Sequence, residues 1–90
     1  MIRSFSSKAL ERFAATGDKA KLSAQNSERI RRILLALNEA KSPNAMNLPD
    51  LKFHLLKGRR RRAVWVAANR RITFGWDDKD AVDVDLKDYH

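Results

Sequence analysis

The sequence contains no cysteine, so it has no disulfide framework and no thiolate metal site, and its two histidines, His54 and His90, are too few for a histidine-built zinc cage. Nothing in it calls for a metal or a cofactor. Long apolar runs are also absent: the longest, Ala63 to Ala68, has six residues, against the roughly 20 that a membrane span requires. No apolar stretch of signal-peptide type follows Met1, and the expectation is a soluble, unprocessed, cytoplasmic protein with no membrane partner. Glycine and proline are scarce, at three and two residues, and 43% apolar content makes the chain too rich in core formers for disorder. Ninety residues suffice for one domain, 1–90, around one core, which excludes a large catalytic scaffold. Acidic residues are few over most of the length. Residues 1–76 hold 17 basic and 5 acidic side chains, residues 77–90 hold 2 basic and 6 acidic, and the net charge is +8. So basic a body points to a polyanionic partner, either nucleic acid or an acidic protein.

What is present reads as helices first and strands afterwards. Ile2 to Phe5 is a short strand candidate. Ser7 caps a helix over about residues 7–16, with Leu10, Phe13 and Ala14 as its apolar stripe and Gly17 at its left-handed end. In a second helix Ile30, Ile33, Leu34, Leu37 and Ala40 keep the i, i+3, i+4, i+7 spacing, Ser23 is the expected cap, and Ser42-Pro43 is the stop. Arg29, Arg31 and Arg32 lie off that stripe, with Glu28 four residues before Arg32. Residues 42–50, with two prolines and three Asx residues, are expected to be neither helix nor strand. Beyond them the period becomes two: Phe53 and Leu55 alternate with Lys52 and His54, Val64 and Val66 flank Trp65, Ile72, Phe74 and Trp76 alternate with Arg71, Thr73 and Gly75, and Val82, Val84 and Leu86 alternate with Asp83 and Asp85. The short connections make hairpins, so the fold class is α+β, with order β-α-α-β-β-β-β and both helices packed on one face of a mainly antiparallel sheet.

With the apolar set of each strand turned to the helices, Lys52, His54, Arg71 and Thr73 face away from them. The meander brings Arg71 beside the terminal Asp88-Tyr89-His90, and Lys57 with Arg59, Arg60, Arg61 and Arg62 borders the same region. Two imidazoles, a carboxylate, a phenol and a guanidinium on a basic patch suit metal-free RNA cleavage: one group removes the 2′-hydroxyl proton, another protonates the departing 5′-oxygen, and cations stabilise the phosphorane. Asp83 and Asp85 at strand spacing are a conceivable Mg²⁺ pair, which a solvated strand face also explains. Strand pairing is expected to end near Leu86, leaving the last three residues little part in the fold.

The segments Lys41-Ser42-Pro43, Met46-Asn47-Leu48-Pro49, His54 with Leu56-Lys57-Gly58, Arg71-Ile72-Thr73-Phe74, Asp83-Val84-Asp85 and Asp88-Tyr89-His90, in that order, resemble HigB toxins of the RelE/ParE superfamily over essentially the whole chain. The resemblance implies a ribosome-dependent mRNA endonuclease of a type II toxin-antitoxin system. Its implied partners are a HigA-type helix-turn-helix antitoxin, the 70S ribosome and mRNA, with operator DNA reached only through the antitoxin. It implies His54, Lys57, Arg71, Asp88, Tyr89 and His90 as site residues. His54 and His90 are then the acid/base pair, Asp88 assists one of them, Arg71 and Lys57 hold the phosphate, and Tyr89 stacks on a base or positions the 2′-hydroxyl. Arg59, Arg60, Arg61, Arg62 and Arg70 are the further RNA-binding candidates. Arg70 departs from the family pattern, which has an aromatic residue before the third-strand arginine. Two other readings share the scaffold: a ParE-like toxin acting on DNA gyrase without a nuclease site, and a basic RNA- or ribosome-binding module without catalysis.

Overall fold

The computed structural model describes residues 1–19, 22, 26–56 and 60–88. Helix α1 spans Lys8–Thr16. The Ser7 side chain accepts the Leu10 amide at 3.1 Å, and Gly17, at φ 78°, turns its own amide onto Phe13 O at 2.8 Å, so both ends of the helix are satisfied by the residues that the sequence indicates. Helix α2 spans Ser27–Glu39 and starts later than expected: its cap position is Asn26, in the left-handed conformation with no side-chain cap bond, and Ser23 lies outside the described residues. Glu28 pairs with Arg31 at 3.5 Å, one residue short of the expected Arg32. The proline-bearing loop is not wholly irregular. Pro43–Met46 forms a 3₁₀ turn with proline in its first turn, where the missing amide costs nothing, and this turn buries Met46 completely.

Four strands follow: β1 His54–Leu55, β2 Arg61–Ala67, β3 Arg70–Asp77 and β4 Asp80–Asp88. They form one antiparallel sheet in the order β1-β2-β3-β4. The N-terminal segment adds only isolated parallel bridges to β4, Ile2 to Ala81 and Phe5 to Val84, in place of a full strand. Leu10 and Phe13 of α1 and Ile30, Ile33, Leu34 and Leu37 of α2 are buried against Val64, Val66, Ile72, Phe74, Ala81 and Val84 of the sheet. One face of the sheet is therefore the floor of the core and the other is left uncovered by helices. Both residues of β1 are exposed; Leu55 shares the face of Arg62 and Phe74 but remains 60% exposed, contrary to its expected burial. Among the described residues no helix is long and apolar enough to cross a membrane.

Two register shifts alter the simple alternation. One falls between Trp65 and Ala67, so that Ala67 pairs with Arg70. The other falls between Thr73 and Gly75, where Thr73 pairs with Asp85 but Gly75 with Val82; Asp83, at φ 51°, sits in the bulge. Val82 is thereby moved off the core face that its spacing assigns it. The Asp83 amide donates to Ser4 Oγ at 2.8 Å, which fastens the bulge to the N-terminal segment.

Phe74 has no exposed surface, so Phe74→Ala should cost about 3–5 kcal/mol, whereas Ser7→Ala should cost about 1 kcal/mol through the lost cap. Urea unfolding of both variants measures the difference.

Candidate active site

Pairing across the sheet sorts the outward side chains into rows. His54 is opposite Ala63, Ala63 opposite Thr73, and Thr73 opposite Asp85. In the next row Trp65 is opposite Arg71 and Arg71 opposite Lys87; on the other side Arg61 is opposite Gly75. Directly paired residues share a face, so His54, Arg61, Trp65, Arg71 and Lys87 stand together over a floor of small side chains. His54 and Thr73 are two strand spacings apart and Arg71 lies two residues further along β3, which separates the His54 and Arg71 backbones by roughly 12 Å.

The neighbours fix how each side chain is presented. Arg71 Nη1 donates to Ala67 O at 2.6 Å and to Arg70 O at 2.9 Å, which draws its guanidinium over the β2–β3 turn. Arg61 Nη2 donates to Thr73 Oγ1 at 3.0 Å and to Asp83 O at 2.6 Å. This path passes over Gly75, where a Cβ would lie 3.8 Å from Arg61 Nη1 and 3.3 Å from Val82 Cγ2. Lys87 pairs with Asp85 at 3.1 Å. The exposed His54 ring has Nδ1 3.0 Å from Lys52 O. A carbonyl oxygen only accepts, so in this contact Nδ1 is the donor. Lys52 holds a left-handed backbone at φ 48°. Its Nζ lies 5.2 Å from the centroid of the Trp65 ring, and the Arg29 guanidinium lies 5.1 Å from the same ring.

Several expected members stand elsewhere. Arg70 is turned to the helix side and buried, donating from Nη2 to Leu22 O at 2.9 Å and from Nε to Asp88 Oδ1 at 3.2 Å. It is a structural tether, not part of the exposed basic face, because alternation on β3 puts it opposite in facing to Arg71. Asp88 goes with it: strand pairing continues to Asp88, beyond Leu86, and the carboxylate meets Arg70 instead of the Arg71 face. Arg62 pairs with Phe74 and shares its side of the sheet, while Arg60 is exposed just before β2. Lys57, Arg59, Tyr89 and His90 lie outside the described residues. Asp83 and Asp85 do not form a pair, since the bulge separates them, and among the described residues no three carboxylate or imidazole side chains gather as a metal site. Trp65 is the residue that sequence reasoning passed over; its place between Val64 and Val66 already turned it outward.

Two helices followed by a four-strand antiparallel sheet make an α+β fold consistent with RelE-like toxins. The chain matches, over residues 3–90, the family of HigB-like toxins, described as RelE-like toxins of the type II toxin-antitoxin system HigB, and it belongs to that family. It is 36% identical over 92 residues to Endoribonuclease HigB of Proteus vulgaris, with the whole of both chains covered.

The Arg70 side chain is 10% exposed and that of Asp88 57%, so Asp88→Ala leaves a largely buried guanidinium short of a partner. The expected cost, discounted for the exposure of Asp88, is about 1–2 kcal/mol. Chemical denaturation of Asp88→Ala checks it, and a loss below the error of that method would show that the pair does not hold the end of β4.

Proposed function

We propose that this toxin is a cytoplasmic endoribonuclease that cuts mRNA on the ribosome, so blocking translation, and that a helix-turn-helix antitoxin of the HigA type holds it inactive. The observation that carries the reading is His54, with Nδ1 3.0 Å from the Lys52 carbonyl, on the same sheet face as Arg71. Membership of the HigB-like family and the name of the Proteus vulgaris relative support it.

The chemistry needs no metal. One of His54 and His90 removes the 2′-hydroxyl proton, and the 2′-oxygen attacks phosphorus. The bond from phosphorus to the 5′-oxygen breaks, and the other histidine protonates that oxygen. The products are a 2′,3′-cyclic phosphate and a 5′-hydroxyl. Arg71, with Lys57, neutralises the charge gathering on the phosphorane, and Tyr89 stacks on a base or orients the 2′-hydroxyl. Asp88 is left out of the proton transfers because Arg70 holds it on the other side of the sheet. Arg60 and Arg61 meet ribosomal or messenger phosphates, which makes binding salt-sensitive. The face is shallow and open, so the ribosome supplies the positioning of the RNA for in-line attack. Operator DNA is bound by the complex through the antitoxin alone.

Primer extension on ribosome-bound mRNA should show cleavage by the full chain and none of the same RNA free in solution. Chelator-sensitive degradation of naked RNA would overturn this, and sequence-specific DNA binding by the toxin alone would favour a binding module. Removing Tyr89 and His90 should lower cleavage by ~10²- to 10⁴-fold, the usual contribution of a general acid or base. Arg71→Ala should lose growth inhibition while still binding the antitoxin in a pull-down assay. Parent-rate cleavage by the truncated chain would remove His90 from the mechanism.

A further inference from the structure

The interactions around Lys52 converge on one outcome. The residue stands at φ 48°, a backbone region that side chains other than glycine adopt rarely. In that conformation its carbonyl is 3.0 Å from His54 Nδ1. Its ammonium lies over the Trp65 ring, 5.2 Å from the centroid. The Trp65 main chain holds the same stretch from the other side, donating its amide to Leu51 O at 2.6 Å. Lys52 is thus gripped at its side chain by the ring of Trp65, and through its preceding residue by the backbone of Trp65. An exposed lysine in a strained conformation persists only where its surroundings over-determine it.

We propose that Lys52 is a positioning residue for the nuclease reaction: its left-handed backbone, clamped by Trp65, aims a carbonyl at His54 Nδ1 and so fixes Nε2 as the nitrogen that exchanges the catalytic proton. This rests on the proposed RNA cleavage but concerns a different property, the tautomer of one ring. A neutral imidazole carries its proton on either nitrogen, and a bond to the other nitrogen decides which. Without the Lys52 carbonyl, a share of His54 would place its proton on Nε2 and present no lone pair there. The side chain acts only through the backbone that it stabilises.

The test compares two substitutions at one position. Glycine adopts a left-handed backbone freely, whereas valine, being β-branched, disfavours it strongly. In the full chain carrying His90→Gln, so that His54 is the one imidazole, ¹⁵N spectra of the neutral ring should show protonated Nδ1 and unprotonated Nε2, and Lys52→Gly should preserve this pattern. Lys52→Val should give the reversed or an averaged pattern. In the chain with His90 intact, single-turnover cleavage on ribosomes should fall about tenfold or more for Lys52→Val, a part of the ~10²–10⁴ that acid/base catalysis contributes. Lys52→Gly, which keeps the left-handed backbone, should stay near the parent rate. A parent ring protonated on Nε2 overturns the proposal, and that measurement requires no lysine variant to fold. A folded Lys52→Val chain cleaving at the parent rate also overturns it, while leaving the nuclease reading standing. An inert parent chain would sink the nuclease reading and with it the catalytic role of Lys52, whatever tautomer the spectra reported.

Discussion

The burial of one face of a four-stranded sheet under two helices is the constraint on which every other placement depends. Ile72 and Phe74 on β3 and Val64 and Val66 on β2 are almost wholly removed from water against α1 and α2. Successive residues on a strand point to opposite faces, so burying these four turns Ala63, Trp65, Arg71 and Thr73 the other way. A slip of one residue would exchange the two sets at the loss of the entire core, and this is why the register is secure. The open face is thus a consequence of the hydrophobic one.

The same alternation separates two adjacent arginines with similar chemistry. Arg71 goes to the open face and keeps its guanidinium over the Ala67 and Arg70 carbonyls. Arg70 goes under the sheet and bonds to Leu22 O and Asp88. Charge alone would assign both to a phosphate. What distinguishes them is the parity of the strand and the presence, on the helix side, of a carbonyl and a carboxylate that compensate a buried cation.

Much of this was legible in the sequence. The stripe of α2, the Ser7 and Gly17 caps, the alternation of β2 and β3 and the outward facing of His54, Arg71 and Thr73 depend on local pattern, which is where periodicity and capping chemistry are informative. Three of the failures share a cause: each is set by a partner outside the local pattern. Val82-Asp83-Val84-Asp85-Leu86 alternates without a fault and gives no sign of the bulge at Asp83, which depends on Ser4, 79 residues away. The burial of Arg70 depends on Leu22, 48 residues away. Lys52 reads as a strand residue, and its positive φ becomes intelligible only once Trp65 and His54 flank it. The site was thus legible as a face but not as a set of bonds.

The acidic end of the chain also gains a physical meaning. Asp77 and Asp80 pair with Arg3, Asp80 with the N-terminal ammonium, Asp83 faces Ser4, Asp85 pairs with Lys87 and Asp88 with Arg70. Exposed pairs of this kind contribute little to stability, from nothing to about 1 kcal/mol each. Their larger effect is on the field. Carboxylates gathered along β4 and its turn offset the charge of the N-terminal segment at one edge of the sheet, while Lys52 and His54 lie at the opposite, β1 edge. A net charge of +8 therefore does not surround the molecule evenly. It is directed by where the chain places its own anions.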